Sequence, residues 1–467
     1  MTIQQLGSAS HDDVRPSGFR GLAGISRCDI TPPVGIRNRN WGPATVDTAD
    51  GVHRPFTLTA LALRSNGDSE AVVLLAADAT FWVADHADLR DAVLDALGIG
   101  EAQLLLNLSH THAGAVLCAS DRHLDGGELI PGYLETFREA AITAGRTALG
   151  SLSPATIEWG TGHCDVASNR DLDLDGRALV GFNPSRHADD TLLVGRLCGG
   201  DGAIMATIVN YACHPTTLAW QNRQLSPDYV GALREIVETA TEAPCLFLQG
   251  ASGELAPREQ YTGDLSLADR HGTAIGHAAL ATLATMPSPA TALRLVGVVE
   301  SGAPLAMWHT IPADLSSQLT ASITEIMLPL RALPTLSELE TEWADIDPLS
   351  RDERLRRARH QRDGYIDLDN SPATVAHKIW TVQIGDAVIV AHPGEAYSAF
   401  QSELRRRFPE RAIIVANLTN GPGFVYLPDA QAYRRNAYQA WQTPLAEGAL
   451  EMLTEAAAAA IASATLR

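Results

Sequence analysis

Four short polar segments of this chain each follow an apolar run and carry side chains able to bind a cation or move a proton. Residues 107–114 (NLSHTHAG) hold His110 and His112 two positions apart. At a strand end that spacing lets both imidazoles project to the same side. Such a pair can share a metal, or set one ligand beside a proton shuttle, and it can equally be structural. Residues 210–216 (NYACHPT) present His214, with Pro215 fixing the chain behind it. Residues 392–395 (HPGE) turn at Pro-Gly and present the carboxylate of Glu395, and residues 421–438 (GPGFVYLPDAQAYRRNAY) carry Tyr426, Tyr433 and Tyr438. Two histidines, one carboxylate and an open position would make a hydrolytic zinc site. Spacing alone does not bring the segments together, and the tyrosines read equally well as core residues.

The elements that must position these groups follow from hydrophobic periodicity. Apolar runs of strand length occupy residues 58–63, 71–77, 103–108, 203–211, 245–248, 380–384, 387–391 and 412–416. Helical spacing marks residues 85–97, 229–240, 397–408 and 444–464. The alternation argues for an α/β fold, and open α/β sheets place their sites at the C-terminal ends of strands, where all four polar segments fall. Residues 1–20 show neither period and read as a flexible tail. Residues 21–467 read as one domain, with a helical insertion at about 313–377. Within it the Arg-rich run 351–362 is interleaved with acidic residues and reads as a solvated helix face.

Composition limits the partners. Of 467 residues, 45% are hydrophobic and 19% charged, enough to build a sizeable core. Lys and Arg number 35 against 55 Asp and Glu, a net charge of −20 that repels phosphate backbones and anionic lipid headgroups. Nucleic acid and membrane are therefore poor partners and a small molecule a better one, while a homo-oligomer remains compatible. The first twenty residues lack an apolar signal core and no later stretch reaches about 18 uncharged apolar residues, so a cytoplasmic protein is expected. Six cysteines without a C-x-x-C pair fit reduced core thiols.

Six motifs, CDITPPVG at 28–35, HTHAG at 110–114, NYACHPTT at 210–217, LQGASGELAPR at 248–258, PGE at 393–395 and the tyrosine-rich segment around Tyr426, together resemble the N-terminal catalytic domain of neutral ceramidases and their bacterial relatives. They run in the same order over roughly residues 21–450. The resemblance implies mixed β-sheets flanked by helices, here without the C-terminal immunoglobulin-like domain, and a zinc amidohydrolase that uses metal-activated water. It places Zn2+ on His110, His214, Glu395 and Tyr426. Tyr433 and Tyr438 match further family tyrosines seven and twelve positions on, whereas Phe424 cannot ligate. His112 becomes an acid/base or oxyanion-stabilising group, Arg170 in S-N-R is directed toward the substrate carbonyl, and Tyr438 joins them as a catalytic group.

Two departures shape the expected substrate. Ala256 stands where ceramidases have a serine, and the secretion signal and extra C-terminal domain of ceramidases have no counterpart in this sequence. A small soluble amide is therefore expected, with an ester or lactone on the same zinc site as the neighbouring reading. A binding or scaffold protein retaining only the fold is the reading from another class. A metal-independent acyl hydrolase would need Ser252 or Cys213; G-A-S-G-E lacks the G-x-S-x-G elbow, and Cys213 should point away from His214.

Overall fold

Strands apolar on both faces must be covered on both sides, and this chain stacks two sheets between two layers of helices. The computed structural model describes residues 13–67, 70–82, 85–365, 374–421 and 425–464. Residues 1–12 of the expected tail and Phe424 lie outside the described residues. The rest of that tail is structured: Val14 bridges Leu293, and the first long strand begins at Gly18.

The larger sheet contains β1 (Gly18–Asp29), β2 (Thr57–Arg64), β3 (Val72–Ala77), β4 (Leu104–Leu108), β5 (Ser153–His163), β6 (Thr191–Gly199), β7 (Ile204–Tyr211) and β8 (Cys245–Gln249). Its order is β8-β7-β6-β5-β1-β2-β3-β4, antiparallel except for the outer pairs β3/β4 and β7/β8, which are parallel. The smaller sheet runs β9 (Leu319–Pro329), β10 (Thr374–Ile384), β11 (Ala387–Ala391) and β12 (Ile413–Ala416), with β11 and β12 parallel.

Period-two alternation divides the core. In β2, Leu58, Ala60 and Ala62 face a helix layer of α1 (His86–Leu97) and α2 (Ile130–Gly150), while Leu61 and Leu63 face the second sheet. Leu105, Ile157, Ile208 and Leu248 meet Trp380, Val382, Ile389 and Ile414 between the sheets. At the β7/β8 end, α3 (Tyr229–Thr241) and α4 (Leu265–Thr285) cover the larger sheet. The smaller sheet is covered by α7 (Ala399–Arg407) and α8 (Ala449–Ala464).

The expected helical insertion is corrected at its start. Residues 319–329 form β9, paired antiparallel with β10 along its whole length, because Leu319, Ala321 and Ile323 face one core while Ile326 and Leu328 face the other. The helical part is α5 (Leu336–Glu342) and α6 (Pro348–Tyr365). The solvated-face reading of 351–362 also fails: Leu355 and Ala358 pack with Leu339 and Trp343, and the Glu353 side chain is buried against Arg356 and Arg357. Among the described residues no helix is long and apolar enough to cross a membrane. All six cysteines are free thiols, and all but Cys28 are buried.

Candidate metal centre

The three parallel strand pairs β3/β4, β7/β8 and β11/β12 deliver the polar segments to one place. Buried amides tie their ends together across the two sheets. Asn107 Nδ2 donates to the Asn417 carbonyl at 2.6 Å and to Thr419 Oγ1 at 2.9 Å, and Asn107 Oδ1 accepts from the Gln249 amide at 3.2 Å. Asn210 Nδ2 donates to the carbonyls of Leu248 and Val415, and Asn420 closes the far side against Leu104 and Leu106. Such a fully satisfied polar network fixes one arrangement of the two sheets.

His110 follows β4 with φ of 71°, a left-handed conformation unusual for a side-chain-bearing residue. Its amide donates to the Ala79 carbonyl, and Thr111 Oγ1 is anchored on Ser226. His214 follows β7, its amide bonded to the Leu255 carbonyl. Glu395 and Tyr426 are direct register partners in a short parallel pair, Glu395–Ala396 against Tyr426–Leu427, so their proximity is set by backbone pairing. Gly253 lets the chain pass behind the site: a Cβ there would lie 2.9 Å from the Glu395 carbonyl.

His110 Nδ1 lies 2.8 Å from the Thr80 carbonyl and His214 Nδ1 2.6 Å from the Ser252 carbonyl. A carbonyl oxygen only accepts, so each Nδ1 holds the proton and each Nε2 presents a lone pair. Both lone pairs face Glu395 Oε2, at 3.2 Å and 3.0 Å. Arg170 Nη2, 3.1 Å from His214 Nε2, and His112 Nε2, 3.4 Å from His110 Nε2, can each offer a hydrogen to an imidazole. Neither places a proton between the imidazoles and the carboxylate oxygen. Protonating the His214 ring is disfavoured, since burial pushes it down to about 3. Burial opposes the charge on Glu395, and positive charge at or between the two imidazoles is what holds its carboxyl well below the ordinary range.

A cation among these atoms resolves the repulsion. Two ligands each about 2.0–2.1 Å from a tetrahedral ion stand roughly 3.3–3.4 Å apart, close to the separations here. His110, His112 and His214 form a group whose ligand atoms lie within 4.8 Å of one another, a set that could hold a metal ion. His112 differs from the other two: its buried Nδ1 has no hydrogen-bond partner, so it lacks the backbone acceptor that orients a ligating imidazole. Burial, with His110 and His214 beside it, pushes its pKa well below the ordinary value.

Tyr426 stacks toward His214, ring centroids 6.4 Å apart, and its hydroxyl is 3.4 Å from Arg170 Nη2. Burial and the nearby Glu395 raise its pKa well above the ordinary value, keeping the phenol protonated. Arg170 is itself buried, anchored through Nε and Nη2 on the Gly253 carbonyl. Tyr438 lies against Tyr426 at 5.8 Å, and its hydroxyl receives Arg357 Nη1 at 3.3 Å. Tyr433 points elsewhere, onto the Leu445 carbonyl.

Every site residue read from the sequence thus falls in one neighbourhood, joined by contacts from His112 through His110, Glu395, His214 and Arg170 to Tyr426 and Tyr438. Sequence reading missed Arg357, which α6 brings to Tyr438 and to the Asn40 carbonyl at 2.6 Å. Trp41 and Trp220 wall the site beside His112, joined by Tyr261, with Trp41 5.3 Å from the His112 ring. Trp308 does not join them; it sits 41% exposed on the hairpin Thr291–Glu300 and Pro304–Pro312. The metal-independent nucleophiles are turned away. Ser252 Oγ accepts from Gln249 Nε2 while its carbonyl holds His214, and Cys213 packs in the core with Tyr211 and Tyr229.

Fold and site together define a helix-covered two-sheet α/β protein with a buried histidine and carboxylate group able to hold a metal ion. That fold is the neutral ceramidase fold. The chain superposes on the crystal structure of neutral ceramidase from Pseudomonas aeruginosa with a TM-score of 0.68 at 16% identity, over 97% of this chain and 75% of that one. A ceramidase complexed with C2 matches with a TM-score of 0.67 at 14% identity, over 96% and 76% of the two chains. No protein-family model matches the sequence, and no curated protein is similar to it in sequence.

Proposed function

We propose that this chain is a zinc-dependent hydrolase that cleaves an amide bond in a small, water-soluble acyl compound. The observation that carries the reading is the convergence of His110 Nε2 and His214 Nε2 on Glu395 Oε2 at 3.2 Å and 3.0 Å, each imidazole having its Nδ1 on a backbone carbonyl. The ceramidase fold supports amide hydrolysis over other uses of a metal. His110, His214 and Glu395 would hold the ion, with Tyr426 completing the set. When bound, zinc supplies Lewis acidity that polarises a carbonyl and lowers the pKa of water.

The chain's own residues carry the rest. Arg170, its Nη2 3.4 Å from the Tyr426 hydroxyl, is placed for negative charge developing on a carbonyl oxygen. His112, beside the ligands but without a backbone acceptor, exchanges a proton at Nε2 with the leaving nitrogen. Trp41, Trp220 and Tyr261 exclude water from the His112 side. Ala256, buried in a short strand pairing with Ala167–Asn169, offers no hydroxyl where ceramidases have serine, and a net charge of −20 opposes docking on anionic bilayers. Both favour a soluble substrate over a sphingolipid. The free thiols fit a cytoplasmic location.

Elemental analysis together with a substrate panel tests the reading. Purified protein should carry about one zinc per chain, lost in His214→Ala and Glu395→Gln, and a chelator should abolish hydrolysis of short N-acyl amides. Wild-type protein without metal, or full occupancy in both variants, refutes the centre. Hydrolysis of esters or lactones alone refutes the amide assignment.

A further inference from the structure

A cavity of about 750 Å³ opens beside Tyr438, one aromatic ring from the metal centre, since Tyr438 lies 5.8 Å from Tyr426. It falls within the size range of pockets that enclose small molecules. Its charge contradicts the rest of the molecule. The chain has 20 more acidic than basic residues, yet among the described residues this cavity is lined by Arg177, Arg331, Arg354 and Arg435 against one acid, Glu342.

These arginines differ in what they have left to offer. Arg435 is committed to Asp171 and Asp173, both at 3.1 Å. Arg331 spends one nitrogen on the Ala440 carbonyl, and Arg177 is exposed. Arg354 lies 5.6 Å from the Trp343 centroid and 5.5 Å from that of Trp441, and the two indoles are themselves 5.9 Å apart, so both stand to one side of it. Among the described residues it has no carboxylate within ion-pair distance. A guanidinium packed on aromatic rings from one side keeps donors on the other, a planar fork matched to a carboxylate. One turn further along α6, Arg357 reaches Tyr438, so a single helix face links the cavity to the catalytic neighbourhood.

We infer that this cavity binds a carboxylate carried by the substrate, with Arg354 as its principal contact and Trp343 and Trp441 flanking the stem. The inference rests on the hydrolase reading and narrows it: the preferred substrates are N-acyl compounds bearing a free carboxylate, such as N-acyl amino acids. The carboxylate sits on the Tyr438 side of the scissile bond, so recognition and chemistry use separate residues.

Two measurements separate this inference from the reading beneath it. The first compares kcat/KM for an N-acyl amino acid and for its neutral carboxamide, in wild type and in Arg354→Gln. The carboxylate substrate should be favoured at least about tenfold in wild type, and Arg354→Gln should remove that preference while changing the carboxamide less than about twofold. The second is calorimetric binding of the N-acyl amino acid to the zinc-loaded protein. Arg354→Gln should weaken it about tenfold, while Glu342→Gln, which removes the acid among the described lining residues, should tighten it about twofold. Equal loss on both substrates, or binding indifferent to both substitutions, overturns the cavity assignment. Carboxylate-dependent binding without hydrolysis of any amide supports the cavity and overturns the hydrolase reading instead.

Discussion

Glu254 is buried behind the centre, and its carboxyl is read by one residue: the Ser398 amide lies 2.9 Å from both oxygens, and Ser398 Oγ lies 2.5 Å from Oε1. Burial raises its pKa to about 8, with Asp171 adding to the rise. At neutral pH the folded protein therefore keeps this acid protonated, while the unfolded chain releases the proton near 4.5. The unfolded state then binds fewer protons than the folded state between those two values, so stability is greatest below about 4.5 and falls as pH rises to about 8. A shift of about three and a half units corresponds to roughly 3–5 kcal/mol across that window. Glu254→Gln preserves the shape and an acceptor for the Ser398 amide but cannot ionise. Urea unfolding of both proteins at equal metal loading should give matching stabilities near pH 5, with the variant more stable by about 3 kcal/mol or more at pH 9. A variant that loses stability at pH 9, or tracks wild type at every pH, would show that Glu254 is ionised in the fold and that the burial argument is wrong.

Two further outcomes follow from buried geometry. Ser252→Ala and Cys213→Ala should keep kcat/KM within about threefold of wild type, because neither side chain faces the centre; isolation of an acyl adduct on either residue would replace metal chemistry with covalent catalysis. Asn107→Leu leaves the Gln249 amide unpaired and takes one donor each from the Asn417 carbonyl and Thr419 Oγ1, which stay bonded to one another. At about 1–3 kcal/mol for the buried orphan and about 0.5–1.5 kcal/mol for each lost bond, it should cost roughly 2–5 kcal/mol in chemical denaturation, and a loss under about 1 kcal/mol would mean that these amides do not lock the sheets.

The pattern of what was legible follows the range of the forces involved. Strands β2, β3, β4, β7, β8, β11 and β12 announce themselves because alternation or an unbroken apolar run is a local property, and His110, His214 and Glu395 stand out because each lies within four residues of the end of such a run. Strand β9 was readable in principle: L-T-A-S-I-T-E-I alternates with period two, a signal masked by the charged helix that follows. Long strands β5 and β6, with glycine and charge at several positions, give no such run, and helices α2 and α4 hide among alanines and glycines.

Arg357 belongs to a different class of failure. Residues 351–362 carry six arginines with Asp352 and Glu353 among them, and exposure is the expected resolution of such a charged run. What overrides it is a partner set distant in sequence. Arg356 pairs with Asp121, Arg357 donates to Asn40 and to Tyr438, and Glu353 is buried between the two arginines. Burying a cation is tolerable only when carboxylates and carbonyls arrive with it, and those arrive from three other parts of the chain. The same reasoning explains Arg354 one turn earlier. Its indole neighbours supply aromatic surface on one side but no anion, which leaves cationic donors on the other in an otherwise acidic protein; a substrate carboxylate is the group that would complete it.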